Sequence, residues 1–320
     1  MKRKLSAFFV TFLLLAVLPL PARAEQLLIP VGEVIGLQLQ DNTVTVAAYD
    51  ETLGGCARDA GLKIGDEILK IGDTTVHSAE DVRSLLEEGD NPVTVRRGGK
   101  VNTLTLNPEK TEEGYRMGVY LRQGIAGIGT VTFYNPSTGV FGALGHGVSN
   151  SKGKLLEMTR GYAYEASLND VKKGAPGAPG QLRGTADGAD VIATLRRNTA
   201  QGVFGVRRPG WKGEGLPVAA YGDVHAGEAA IRCTVSGGAP QEYSVEILKI
   251  YPETREDGRN FLLRVTDPDL LEITGGVVQG MSGSPIIQDG KLIGAVTHVL
   301  VNDPTTGYGI FIQKMLDAAA

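Results

Sequence analysis

Short apolar runs broken by glycine-bearing turns recur along most of this chain, at the spacing of about 8–12 residues that marks all-β sandwiches and barrels. Of its 320 residues, 44 are glycine, aromatic content is 6% and charged residues make up 21%. Helices of ordinary length find little room between such turns, so a mainly β chain with space for two cores is expected. The stretch Gly275 to His298, GGVVQGMSGSPIIQDGKLIGAVTH, shows the pattern best. Pro285-Ile286-Ile287 and Leu292-Ile293-Gly294-Ala295-Val296 flank an Asp289-Gly290 turn and predict a hairpin. In front of it stands Gly280-Met281-Ser282-Gly283-Ser284-Pro285.

A serine between glycines can sit on a tight turn with its hydroxyl unscreened and backbone N–H groups turned toward a bound atom. An acyl-transfer site needs that combination, a nucleophile plus donors for a developing oxyanion. The amides of Gly280 and Ser282 are the candidate donors. Because the serine leads into a hairpin and not into a helix, the pattern argues against an α/β-hydrolase elbow. A plain surface turn would use the same residue types.

A serine needs a base, and histidine titrates in the right range. Four histidines are available. His77 and His225 read as surface residues, and His298 ends a strand with Asn302 and Asp303 nearby. His146 differs, because it lies between glycines at the end of the apolar run Gly139–Leu144, the second strand of a hairpin turning at Asn135-Pro136-Ser137-Thr138. The carboxylate to orient such a base is open among Asp267, Asp269, Asp187, Asp190 and Asp223. Asp267 follows the apolar run Phe261–Thr266 and precedes Pro268, a position that also suits a turn or helix cap.

Residues 1–24 form a leader: Lys2, Arg3 and Lys4, an apolar run from Ala7 to Leu18, then Ala22-Arg23-Ala24. Its pattern predicts export with cleavage before Glu25, or an uncut anchor with a short apolar segment. Without its four basic residues the formal charge falls from −4 to −8, which gives no electrostatic case for nucleic acid. Cys56 and Cys233 read as small buried residues more readily than as a bridge. No metal-ligand spacing or cofactor motif is present, so neither is expected.

Two resemblances sharpen this reading. Residues Leu28 to Asn107, above all AGLKIGDEILKI and a helix capped by Ser78 with Asp81, resemble a PDZ domain. The resemblance implies a peptide added as a strand beside a Φ-Gly-Φ loop, for which the match is Ile35-Gly36-Leu37, with Gly36 as a bare turn the other reading. From Tyr115 onward, GTVTFYNPSTGVFGALGHG, VTDPDLLEITGGVVQGMSGSP and GKLIGAVTHVLVNDPTTGYGIFI strongly resemble the SpoIVB peptidases of spore-forming bacteria. That implies a small α+β PDZ domain over residues 25–112, joined by a charged linker to a trypsin-like double β-barrel serine peptidase over 113–320. It places the motif histidine, aspartate and serine on His146, Asp267 and Ser282, with an Asp–Ser gap shorter than trypsin-like enzymes show. It further implies export to the space between the two membranes around the forespore, self-cleavage, and cleavage of a membrane-bound regulator of an intramembrane protease. The end result would be processing of pro-sigma-K. A PDZ adaptor, or a self-cleaving timer with little trans activity, is the rival reading.

Overall fold

The computed structural model describes residues 26–150, 152–186 and 190–320, so the leader lies outside the described residues. Outside the PDZ-like region the chain forms two six-stranded antiparallel barrels, the double-barrel fold expected from the sequence. Barrel 1 closes through Val119–Tyr134, Val140–Ala143, Gly202–Val206, Val191–Thr199, Arg160–Glu165 and Val34–Tyr49, whose outer members pair with each other. Barrel 2 closes through Gly227–Cys233, Gln241–Ile250, Phe261–Val265, Asp303–Phe311, Lys291–Leu300 and Pro285–Gln288. The hairpins expected around Asn135–Thr138 and Asp289-Gly290 are both present.

Each barrel has its own core. Ile35, Leu37, Val131, Phe141 and Val203 fill barrel 1, with Trp211 edge-on to Phe141 at 5.3 Å. Phe261, Leu263, Ile286, Val296 and Phe311 fill barrel 2, where Phe261 and Phe311 meet edge-on at 4.5 Å. A third cluster welds the two together: Leu28, Phe133 and Phe204 from one side, Leu292 and Ile310 from the other, and Ile312 and Met315 of the C-terminal helix Ile312–Ala319. Full burial of each such side chain stabilises by about 1.5–3 kcal/mol, so the cluster fastens the two barrels to each other.

The structure corrects the division at residues 25–112 and 113–320. The strands Val34–Tyr49 and Val119–Tyr134 run beside each other along most of their length, but the ladder breaks between Leu39 and Val44. On one side of the break, Val34–Leu39 pairs with Ile125–Thr130 inside barrel 1. On the other, Val44–Tyr49 pairs with Val119–Gln123 over a separate core of Val44, Val46, Leu62, Ile68, Val82, Val93 and Leu106. Gly124 marks the junction: its φ is +76°, and a Cβ there would lie 1.9 Å from the Leu39 carbonyl oxygen. The PDZ-like unit is therefore an insertion, roughly residues 41–123, into the first strand pair of barrel 1. The charged stretch expected to be a linker forms half of a small hairpin, Glu109–Thr111 with Gly114–Arg116.

Within the insertion, Ser78 caps the helix Ala79–Leu85 with a full capping box, its hydroxyl accepting from the Asp81 N–H. Arg97 closes the strand end by forking onto Asp66, a carboxylate with almost no exposure. Cys56 and Cys233 are both free, and burial pushes the Cys233 thiol up to about 12.

Candidate active site

Ser282 and His146 share one cleft between the barrels, about 480 Å³ in volume, whose other lining includes Ile128, Leu144, Val278, Gly280, Thr297 and His298. His146 is delivered by strain. Leu144 takes φ +70° while the Gly145 N–H donates to the Ala143 carbonyl at 2.9 Å, a γ-turn of the rare positive-φ kind. This wrenches the chain out of the Val140–Ala143 strand one residue before His146. Behind it, Asn198 grips the following backbone, its Oδ1 accepting from Val148 N–H and its Nδ2 donating to the Val148 and Leu156 carbonyls.

His146 Nδ1 lies 3.0 Å from the Gly147 carbonyl oxygen. A carbonyl can only accept, so Nδ1 carries the proton and Nε2 keeps its lone pair. Burial lowers the pKa of His146 from the ordinary histidine value, while the Gly147 contact opposes the shift. The ring is thus a neutral base in the tautomer a serine nucleophile requires.

Thr130 holds the serine turn from below at two points. Thr130, fully buried, donates its hydroxyl to the Gly280 carbonyl at 2.7 Å and its N–H to the Ser282 carbonyl at 3.1 Å. Gly283 has φ +98°, and a Cβ there would meet the Thr130 carbonyl oxygen at 2.0 Å, so only glycine fits. Carbonyl orientation sets the amides. The Gln279 oxygen accepts from the Leu182 N–H, and the Met281 oxygen accepts from both the N–H and the hydroxyl of Ser284. In a trans peptide the N–H points opposite its C=O. The Gly280 and Ser282 amides are therefore turned away from those partners, and neither donates to a protein acceptor among the described residues. Two amides without a protein acceptor among the described residues thus stand in the same turn as the hydroxyl. The Ser282 hydroxyl itself donates to the Thr297 carbonyl at 2.8 Å, so that bond must break before any transfer to His146.

Two sequence assignments fall elsewhere. Asp267 does not join the cleft; it is the N-cap of the helix Pro268–Thr274, its Oδ1 accepting from the Asp269 and Leu270 amides and its Oδ2 from Ser244 N–H. The carboxylate is occupied by three backbone donors and lines no part of the cleft that holds His146. Ile35-Gly36-Leu37 is not a peptide-binding loop. It is mid-strand in barrel 1, with Gly36 paired to Tyr164 on one side and Ile128 on the other, so no edge is open. Gly36 is there because a Cβ would lie 2.5 Å from that of Ala186.

The Φ-Gly-Φ turn that opens onto a groove is Met117-Gly118-Val119. Gly118 has φ +67°, and among the described residues the Met117 and Gly118 amides donate to no protein acceptor. Val119–Leu121 pairs on one edge only, and across a groove of about 570 Å³ stands the helix Ala79–Leu85 with Val82 and Leu86. The sequence signal was a glycine between apolar residues, Tyr115-Arg116-Met117-Gly118-Val119-Tyr120-Leu121, read as the start of a β region.

Comparison with known proteins finds both domain types in this chain. The model of the SpoIVB peptidase S55 family matches residues 113–316, and a PDZ domain model matches residues 51–97, inside the insertion. No curated protein matches the chain. Among solved structures, the chain is similar to the Rv3671c protease, inactive form, at 15% identity and TM-score 0.36, covering 60% of this chain and 84% of that one. The active form of Rv3671c protease from M. tuberculosis gives 15% identity and TM-score 0.38, over 61% of this chain and 73% of that one. The family match spans well over half the chain, which belongs to the SpoIVB peptidase S55 family and is a serine peptidase carrying a PDZ domain.

Proposed function

We propose that Ser282 is the nucleophile and His146 the general base of an endopeptidase that cuts protein substrates. The observation that carries this is the cleft itself: a hydroxyl on a glycine turn, two amides beside it and an imidazole Nε2, the last three without a protein partner among the described residues. Ser282 Oγ attacks the scissile carbonyl carbon, its proton passes to His146 Nε2, and the carbonyl electron pair moves onto oxygen facing Gly280 and Ser282 N–H. Each such donor is worth roughly 3 kcal/mol in a comparable site. The Nε2 proton then goes to the leaving amine as the C–N bond breaks, and water releases the acyl group.

The setting belongs to the same proposal. The leader supports export, with the forespore intermembrane space as the destination and an uncut N-terminal segment as a means of attachment. Among the described residues pairing begins at Leu27, so self-cleavage upstream of it would leave the described ladders intact. The substrate in trans would be a membrane-bound regulator of an intramembrane protease, leading to pro-sigma-K processing. A peptide C-terminus, the chain's own or the partner's, would dock as a strand along Val119–Leu121 with its carboxylate at the Met117–Val119 amides.

The test uses a serine-directed fluorophosphonate on the full chain, followed by mapping of the labelled peptide. The expected result is a single adduct on Ser282, with labelling and N-terminal self-cleavage both lost in Ser282→Ala. Self-cleavage by a protease-free Ser282→Ala preparation would refute the nucleophile. Absence of adduct and cleavage in the unaltered chain would favour an adaptor.

A further inference from the structure

His146 lacks a carboxylate partner among the described residues; what faces it in the cleft is a second imidazole. The His146 and His298 ring centroids are 5.5 Å apart, with planes tilted by 38°. Rings at that separation come within hydrogen-bonding range once they turn edge to edge. His298 Nδ1 is buried and has no hydrogen-bond partner among the described residues. A buried ring nitrogen left without a partner loses stability that a stabilising neighbour would restore, so its persistence calls for a reason.

Backbone geometry points the same way. The ladder between Lys291–Leu300 and Asp303–Phe311 shifts register between Val296 and His298, leaving Thr297 as an extra residue. In a regular strand residues two apart share a face, yet Val296 is sealed in the barrel 2 core while His298 lines the cleft. The bulge re-aims His298, and bulges of this kind cluster beside active sites. The same bulge presents the Thr297 carbonyl to Ser282.

We infer that His298 is the positioning residue for His146, accepting the Nδ1–H of the imidazolium that forms when the Ser282 proton arrives on Nε2. This rests on the Ser282–His146 reading above. In the resting state Nδ1–H is satisfied by the Gly147 carbonyl; on protonation the ring turns so that the bond passes to the unpartnered His298 nitrogen. No proton leaves His146 for His298; the nitrogen lone pair stabilises the cation and fixes the ring. His298 is fit for this because it stays neutral: burial, then His146 and Arg259, depress its pKa to about 4, against a smaller opposing pull from Asp257.

The experiment measures the fluorophosphonate labelling rate of the full chain against pH for the unaltered protein, His298→Ala and His298→Gln. Labelling of Ser282 in the unaltered chain is the control; its absence would remove the nucleophile reading, and this inference with it. Given labelling, His298→Ala should slow the reaction on the order of 10²-fold, less than loss of a triad carboxylate because a neutral imidazole carries no countercharge. Loss of the acceptor that stabilises the imidazolium should also move the acidic limb downward, further from the ordinary histidine value. His298→Gln, whose amide oxygen can accept, should retain most of the rate, and added imidazole should accelerate His298→Ala alone. An unchanged rate and limb in His298→Ala would overturn the assignment. So would equal losses in both variants with no imidazole rescue and unchanged thermal unfolding.

Discussion

His146 and His298 are both kept neutral chiefly by burial, and this sets the protein's response to acid. A histidine whose folded pKa lies below its unfolded value binds more protons when unfolded, so its contribution to stability is complete above the unfolded value and is lost as pH falls. For His298 that window runs from the ordinary 6.5 down to about 4. Denaturation midpoints should therefore decline across this interval, and the decline should be shallower in His298→Gln. An identical pH dependence in the two proteins would show that the imidazole is not held neutral in the folded state. At this scale Ser282 and His146 were legible because each stands among glycines, where a reactive side chain can be exposed on a rigid turn. His298 was not, since its direction depends on one extra residue in a strand, and apolar alternation does not reveal a bulge.

Elements decide the fate of Asp267. An aspartate before a proline at the end of an apolar strand fits an orienting carboxylate and a helix cap equally well in sequence, and the structure chooses the cap. The two roles separate by substitution. Asparagine caps about as well as aspartate, whereas alanine costs about 0.5–2 kcal/mol. Asp267→Asn should keep both thermal stability and the Ser282 labelling rate, while Asp267→Ala should lower the unfolding temperature without specific loss of labelling. A stable Asp267→Asn protein that no longer labels would return the carboxylate to the catalytic group. The hairpins and the Ser78-capped helix were readable because turn and cap residues act locally. Gly36 was misread because Φ-Gly-Φ describes a binding turn and a crowded barrel strand alike, and only the pairing on both its edges tells them apart.

For the whole molecule, the barrels and the PDZ unit followed from composition, turn spacing and long motifs, but the order of assembly did not. The run from Val34 to Tyr49 is one β pattern that serves two cores, and nothing in its alternation marks where one core ends. The groove beside the inserted helix and the Ser282 turn thus lie along a single strand, with Val119 at the groove and Thr130 clamping Gly280 and Ser282.

An inserted unit is fastened to its host by two covalent crossings, and a module at a chain end by one. A protease that cuts once at the exposed Gly98-Gly99 turn leaves one fragment holding the 27–39 strands and the other holding their partners in barrel 1. The nicked protein should migrate as a single species under native conditions and as two bands in denaturant. Separation without denaturant would mean that the strand pairs do not carry the connection. Shedding of the PDZ unit therefore takes two cuts, and a single proteolytic event in the insertion leaves it attached to the barrels.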